Sequence, residues 1–508
     1  MVACAGLAAA GAAVAATGDP SYRGCITGNT AAGPDGSDAC AEVPGAEAVG
    51  GASGLNGPSA VAASRDGKSV YVASEFDDAI VQFKRNAKTG ALAFVRCVSG
   101  NTAVGPTGSE ACSALSESGV NGALSGVDGP RSLAISRDDG SVYSVSENDD
   151  ALSHFTRARS GRLTFEGCVS ARGDIGDACE LLPAADGIGT DTGMDSPQAV
   201  VVSPDGKSVY VGSETDDAVA TFRRAQSGEL TYRRCLAADP NATACDHLPG
   251  TEMSRGGAGL FVVTHLAISR DGKSLYAVAN ADTAVTRFSR AANGRLGFQG
   301  CRTAELDGAG SGGTGACSDI SSATATGANS GMDSPTAIAV SPDDDSVYVA
   351  SQTDAAITHF DRRRSGALVF ATCLSGEDAT GEGAAGPCKE VPAHQSVAGG
   401  NNSGMAAISG MAFAGKSHLY ASLASDHGLA HLKRRPASGR LSFEGCITGE
   451  IASGPDGTGA CDAIDSVALA GAGSGLDNLS AVVTAPGRTS AYTASRDDDA
   501  VARFALKR

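Results

Sequence analysis

The 508-residue chain predicts an all-β fold, a seven-bladed β-propeller of four-stranded antiparallel blades, and three observations lead there. A tyrosine inside a short apolar run recurs seven times, at Tyr71, Tyr143, Tyr210, Tyr276, Tyr348, Tyr420 and Tyr492. Twelve residues after each comes an apolar anchor: Phe83, Phe155, Phe222, Phe288, Phe360, Leu432 and Phe504. Lastly, Tyr22-Arg23-Gly24-Cys25 reads as the end of a fourth strand with no blade before it, while the seventh tyrosine is followed by only one further strand. A ring closed by the N-terminal strand accounts for both ends and leaves no open sheet edge.

Each element of a blade can be read from the stretch Pro197 to Cys235. Gln198 to Ser203 alternates as a first strand, and Pro204-Asp205-Gly206-Lys207 turns it. Val209 to Ser213 forms the second strand, and the acidic segment Glu214 to Asp217 turns that one. Ala218 to Arg223 is the third, and Leu230 to Cys235 the fourth, reached through a turn closing on Gly228. The cysteine of strand four follows the tyrosine at 25 or 26 residues, but the next tyrosine lies 41 to 47 residues beyond that cysteine. Length therefore varies in the connection between blades, about thirty residues rich in Gly, Ser, Ala and Asp, as expected where sheets are constrained and loops are not.

A net charge of −18 sets the chain's field against polyanions, which excludes nucleic acid as an expected partner. The N-terminal segment, residues 1–18, is signal-like or a disordered arm: it has an apolar run and a small-residue site but no basic start. Residues 19–508 form a single propeller domain, and no later segment is apolar enough for a membrane span. Apart from Cys4, fourteen cysteines fall into seven local pairs: Cys25 with Cys40, Cys97 with Cys112, Cys168 with Cys179, Cys235 with Cys245, Cys301 with Cys317, Cys373 with Cys388, and Cys446 with Cys461. Even numbers at a repeating spacing predict disulfides formed outside the cytoplasm, and the spacing fits no zinc site, so neither metal nor cofactor is expected.

The segment Gly129 to Phe165, GPRSLAISRDDGSVYSVSENDDALSHFTRARSGRLTF, resembles the lactonase-type seven-bladed propellers, which include 6-phosphogluconolactonases and are related to YVTN-repeat proteins. The resemblance covers the strand segments of all seven repeats. It implies a site of Arg, His and Glu around the mouth of a central channel. Arg131 and Glu147 match that family's Arg and Glu; Ser132 stands where its His usually is, and His265 holds the equivalent place two blades later. The implied catalytic set is Arg131, Glu147 and His265, with Arg131 holding a carboxylate or a developing oxyanion and His265 or Glu147 moving a proton. Glu75 and Glu214 repeat the Glu position, and with Gln198 they are candidate ligand-binding residues.

Other recurrent residues have structural readings. An Asp six residues after each tyrosine (Asp77, Asp149, Asp216, Asp282, Asp354, Asp426 and Asp498) is expected to cap the turn after strand two. His154, His359 and His431 are expected on a solvated strand face. Gly310 to Gly315 matches G-x-G-x-x-G without the strand and helix that would let it bind a dinucleotide. The functional expectation is an exported, monomeric binding or interaction module that meets a protein, glycan or small molecule at its channel face; the alternative is an extracytoplasmic lactonase.

Overall fold

In a computed structural model that describes residues 17–507 apart from 176, 187–188, 252–256 and 385, the chain forms seven sheets in a closed ring. Residues 1–16 of the expected N-terminal segment lie outside the described residues. Blade one shows the pattern: Pro58–Ala63, Ser69–Ser74, Ala79–Arg85 and Leu92–Asn101 form an antiparallel meander. The first strands of successive blades lie side by side around the axis, and Leu479–Thr484 of blade seven meets Pro58–Ala63 of blade one.

Each blade has five strands rather than the expected four. After strand four the chain loops back and adds a parallel strand on the outer edge, in blade one Ser113–Gly119 beside Val98 to Asn101. The disulfide makes this return possible. Cys25 and Cys40 are direct parallel partners, and all seven expected pairs are bonded, with Cα atoms 4.5 to 4.7 Å apart. Each closes a loop of 10 to 16 residues, which constrains the unfolded chain by about 3 kcal/mol.

Ring closure is as the two ends predicted. Pro20–Asn29 pairs antiparallel with Ala500–Leu506, and Cys40–Glu47 adds the fifth strand of blade seven. The Gly18 N–H donates to the Lys507 carbonyl at 2.7 Å, extending that pairing to the last described residue.

Neighbouring blades are joined by a recurring clamp. The seven tyrosines are fully buried, each packed among apolar residues of the next blade, as Tyr71 is with Phe155 and Leu163. The hydroxyl of Tyr71 donates to the Gly161 carbonyl and accepts from Arg157 Nε at 2.8 Å, while Arg157 Nη2 reaches Asp66 at 3.0 Å. Arg224, Arg290, Arg362 and Arg434 repeat this contact to a tyrosine and an aspartate of the preceding blade. The two seams of blade seven depart from it. Arg85 reaches Tyr492 with hydroxyls but no aspartate beside it. Between blades six and seven, Leu506 and Gly415 stand in the Arg and Asp positions, and Tyr420 donates to Gly18 of the N-terminal strand.

Two expectations are corrected. The repeated aspartates cap no turn of their own; they hold the loop that enters their blade. Asp77 accepts the N–H groups of Ala52, Gly54 and Asn56 at 3.0, 2.6 and 3.1 Å, and the other six do likewise in their blades, as Asp426 does for Asn402, Gly404 and Ala406. His154, His359 and His431 are buried, stacked on Tyr143, Tyr348 and Tyr420 of the flanking strand, because both faces of every blade are covered by its neighbours.

Candidate functional site

Two positions on the inner strands point toward the end of the ring that carries the disulfides. One is the second residue of strand one, where the pairing slips by a residue, as between Pro130 and Ser132, and frees the side chain between them from the ladder. In five blades this residue is Ser59, Thr264, Thr336, Ser409 or Ser480. Its hydroxyl donates to the first carbonyl of the next blade's inner strand at 2.5 to 3.1 Å. Arg131 and Gln198 replace the hydroxyl in blades two and three, so the repeat is broken at two adjacent places.

The other position is the first residue after strand two. It is Glu75, Glu147 and Glu214 in blades one to three, Asn280, Gln352 and Ala424 in blades four to six, and Arg496 in blade seven. Charge is thus confined to four consecutive blades. There the structure brings Arg131, Glu147 and Glu75 together: Nη1 of Arg131 is 2.7 Å from Glu75, and its Nε and Nη2 bind Glu147. Arg496 closes the network on Glu75 at 2.8 Å, with its guanidinium over the Phe76 ring at 5.1 Å. Ser196 Oγ donates to the other oxygen of Glu147 at 3.2 Å.

Burial raises the Glu75 carboxyl above its ordinary value, against the opposing pull of Arg131 and Arg496. Glu214 is also raised, by burial first and then by the charge of Glu147, with Arg131 opposing. Arg131 already serves two carboxylates, so a substrate carboxylate would have to displace one of them.

His265 is placed differently. It lies one residue past the slip, in the position of Ser132, whose hydroxyl accepts the Val200 N–H of the next blade at 3.3 Å. That position faces a neighbouring blade, and no hydrogen bond or ion pair joins His265 to Arg131 or Glu147. Burial lowers its imidazole to about 4, which keeps it neutral at physiological pH. Gln198 is half-buried at the slip of blade three, next to the Arg131 network in the order of blades.

Sequence reading missed Arg496 as a member of this network. Its signal was present, since it occupies the Glu75 position of its own repeat with opposite charge. Among the described residues no group of three or more His, Cys, Asp or Glu is arranged to hold a metal ion, and no helix is long and apolar enough to cross a membrane.

No protein-family model matches the chain, and no curated protein matches it. Solved structures do. Hydrazine synthase of Kuenenia stuttgartiensis aligns at 12% identity and TM-score 0.50 over 89% of this chain and 96% of its own. The Cps50 (Swd1) β-propeller domain of Myceliophteria thermophila aligns at 11% identity and TM-score 0.50 over the same shares. The periplasmic gluconolactonase PpgL of Pseudomonas aeruginosa aligns at 16% identity and TM-score 0.47 over 77% of this chain and 85% of its own. At such identities, what is held in common is the propeller architecture.

Proposed function

We propose that the protein is an exported binding propeller whose disulfide-bearing end engages a protein partner. The observation that carries this reading is an arc of exposed aliphatic side chains on the connections between blades, just past the disulfide-closed loops. Val397, Leu469, Val49 and Val120 are 53%, 82%, 78% and 75% exposed. They sit on the loops entering blades six, seven, one and two, which are consecutive around the ring. Each follows the fifth strand of the preceding blade, and aliphatic side chains held out by turns anchored to a sheet offer apolar contact without the entropy cost of ordering a mobile loop. They provide neither ring stacking nor hydrogen bonds for a sugar, and the charge of −18 favours a partner with a basic rim around its apolar contact. Seven disulfides support a location outside the cytoplasm.

The test places a photo-cross-linking residue at Leu469 or Val120 in the producing organism, with exposed Lys84 as control. One protein adduct is expected at the loop positions, absent at Lys84 and abolished by Val49→Asp. Adducts at all three positions alike, or none, would overturn the reading.

A second reading, an extracytoplasmic lactonase, draws on Glu214, a carboxyl raised by burial and by the charge of Glu147 beside the Arg131 network, as a candidate proton carrier. Ring opening on a lactone panel, lost in both Arg131→Ala and Glu214→Gln, would support it. No turnover on any lactone would sink it.

A further inference from the structure

Away from the Arg131 network, the repeat is broken a second time. A cavity of about 1020 Å³ opens between blades two, three and four. It is bounded by the turns between strands one and two of blades two and three, strands three and four of blade three, and the turn between strands three and four of blade four. In a chain of net charge −18, this cavity is lined by six arginines and a lysine against two aspartates.

The aspartates are already engaged. Asp138 holds Arg224 at 3.2 Å and Asp205 holds Arg290 at 2.8 Å, both parts of the blade clamps. Just outside, Asp246 pairs with Arg234, whose Nε remains buried without a hydrogen-bond partner. Arg137 donates to the Pro204 carbonyl at 2.9 Å. Lys207, Arg223, Arg233 and Arg295 have neither an ion pair nor a side-chain hydrogen bond among the described residues.

These cations do not belong to the repeat. At the three positions held by Arg223, Arg233 and Arg234, blade four has Ser289, Gln299 and Gly300, and blade five has Asp361, Ala371 and Thr372. Blade three alone has arginine at all three. Like charges gathered in one concave site repel one another, and an anion that bridges several of them reverses that repulsion. Guanidinium groups also match the planar or tetrahedral oxygens of carboxylate, sulfate and phosphate with paired hydrogen bonds.

We infer that this cavity is a binding site for a compact oxyanion carrying several sulfate or phosphate groups. Its volume is that of a small-molecule site. The chain's net charge of −18 disfavours an extended polyanion. The site is independent of the Arg131 network and of the aliphatic arc.

The experiment is calorimetric titration of the intact protein with sucrose octasulfate and with inositol hexakisphosphate, the two arms separating sulfate from phosphate preference. At least one is expected to bind saturably, one molecule per chain, and more weakly as salt rises. Arg223→Gln with Arg233→Gln, both exposed side chains, is expected to weaken binding by about tenfold per arginine with unchanged circular dichroism. Absence of saturable binding by either probe, or binding undiminished in the double variant, overturns the inference. Tighter binding of a short single-stranded oligonucleotide than of both compact probes overturns the assignment of ligand class.

Discussion

Replacing Arg434 by methionine is expected to lower stability by about 4 kcal/mol, the midpoint of the cost of leaving one member of a buried ion pair alone. The Arg434 side chain is completely buried. It donates to Tyr348 OH at 2.8 Å, to Asp343 at 2.8 Å, to the Lys416 carbonyl at 3.1 Å and to Ser346 Oγ at 3.1 Å. Burial alone would raise the Asp343 carboxyl, but Arg434 and the Ser341 hydroxyl hold it below its ordinary value. Without the guanidinium, that carboxylate is left largely desolvated. Unfolding a chain of this size carries an entropy of about 1 kcal/mol per kelvin, so Tm should fall by about 4 °C in a thermal melt followed by circular dichroism. Adding Asp343→Ser removes the stranded charge and should recover about half the loss, because the interaction energy of neighbours is not additive. The seam between blades six and seven shows why: there Leu506 replaces the arginine and no aspartate is left facing it. A shift under about 1 °C for Arg434→Met, or a double variant no better than the single one, would refute the view that the clamp holds adjacent blades together.

Gly193→Val should disturb oxidative folding: φ is +87° there, and a Cβ would lie 2.5 Å from Cys235 Sγ and 2.6 Å from Cys245 Sγ. Free-thiol titration after refolding should find unpaired cysteines, with a loss of about 3 kcal/mol or more in what does fold, whereas Gly51→Ala, in open space at φ −59°, should stay within about 0.5 kcal/mol. Stability should also peak slightly below neutral pH. Burial raises Asp150 to about 8 and Asp499 to about 7, so between pH 4 and those values the folded state binds more protons than the unfolded one and stability falls as pH rises. Burial lowers His265, His359 and His431 to about 4 from 6.5, so stability also falls as pH drops below 6.5. Asp150→Asn, which keeps an acceptor for the Ser196 N–H at 2.8 Å, should flatten the alkaline side of the Tm profile; an unchanged slope would remove Asp150 as its cause.

The architecture was legible because the residues that set it recur at fixed spacing. Tyr71 and Phe83 hold hairpin register in every blade, and each cysteine pair spans a short loop. The fifth strand was not legible: Ser113–Gly119, SALSESG, has no apolar alternation, and it pairs because a disulfide brings it beside strand four. His154 was misplaced for a different reason. Alternation along a strand separates an inner face from a solvated one only where one face meets water, and here the neighbouring blades cover both. Arg131 and Glu147 were marked by the resemblance within one repeat, while the contacts to Glu75 and Arg496 cross into blades one and seven and depend on the ring. His265 was drawn to the site by its equivalence to Ser132, whose side chain faces a neighbouring blade.

The sealing of the ring is best tested by hydrogen exchange across Pro20–Asn29, the strand on which the seventh blade depends. Amides that pair with Ala500–Leu506 should be protected as strongly as those of Leu92–Asn101, the corresponding strand of blade one. Exchange as fast as that of a free tail, with blade one still protected, would contradict the closed seven-bladed ring.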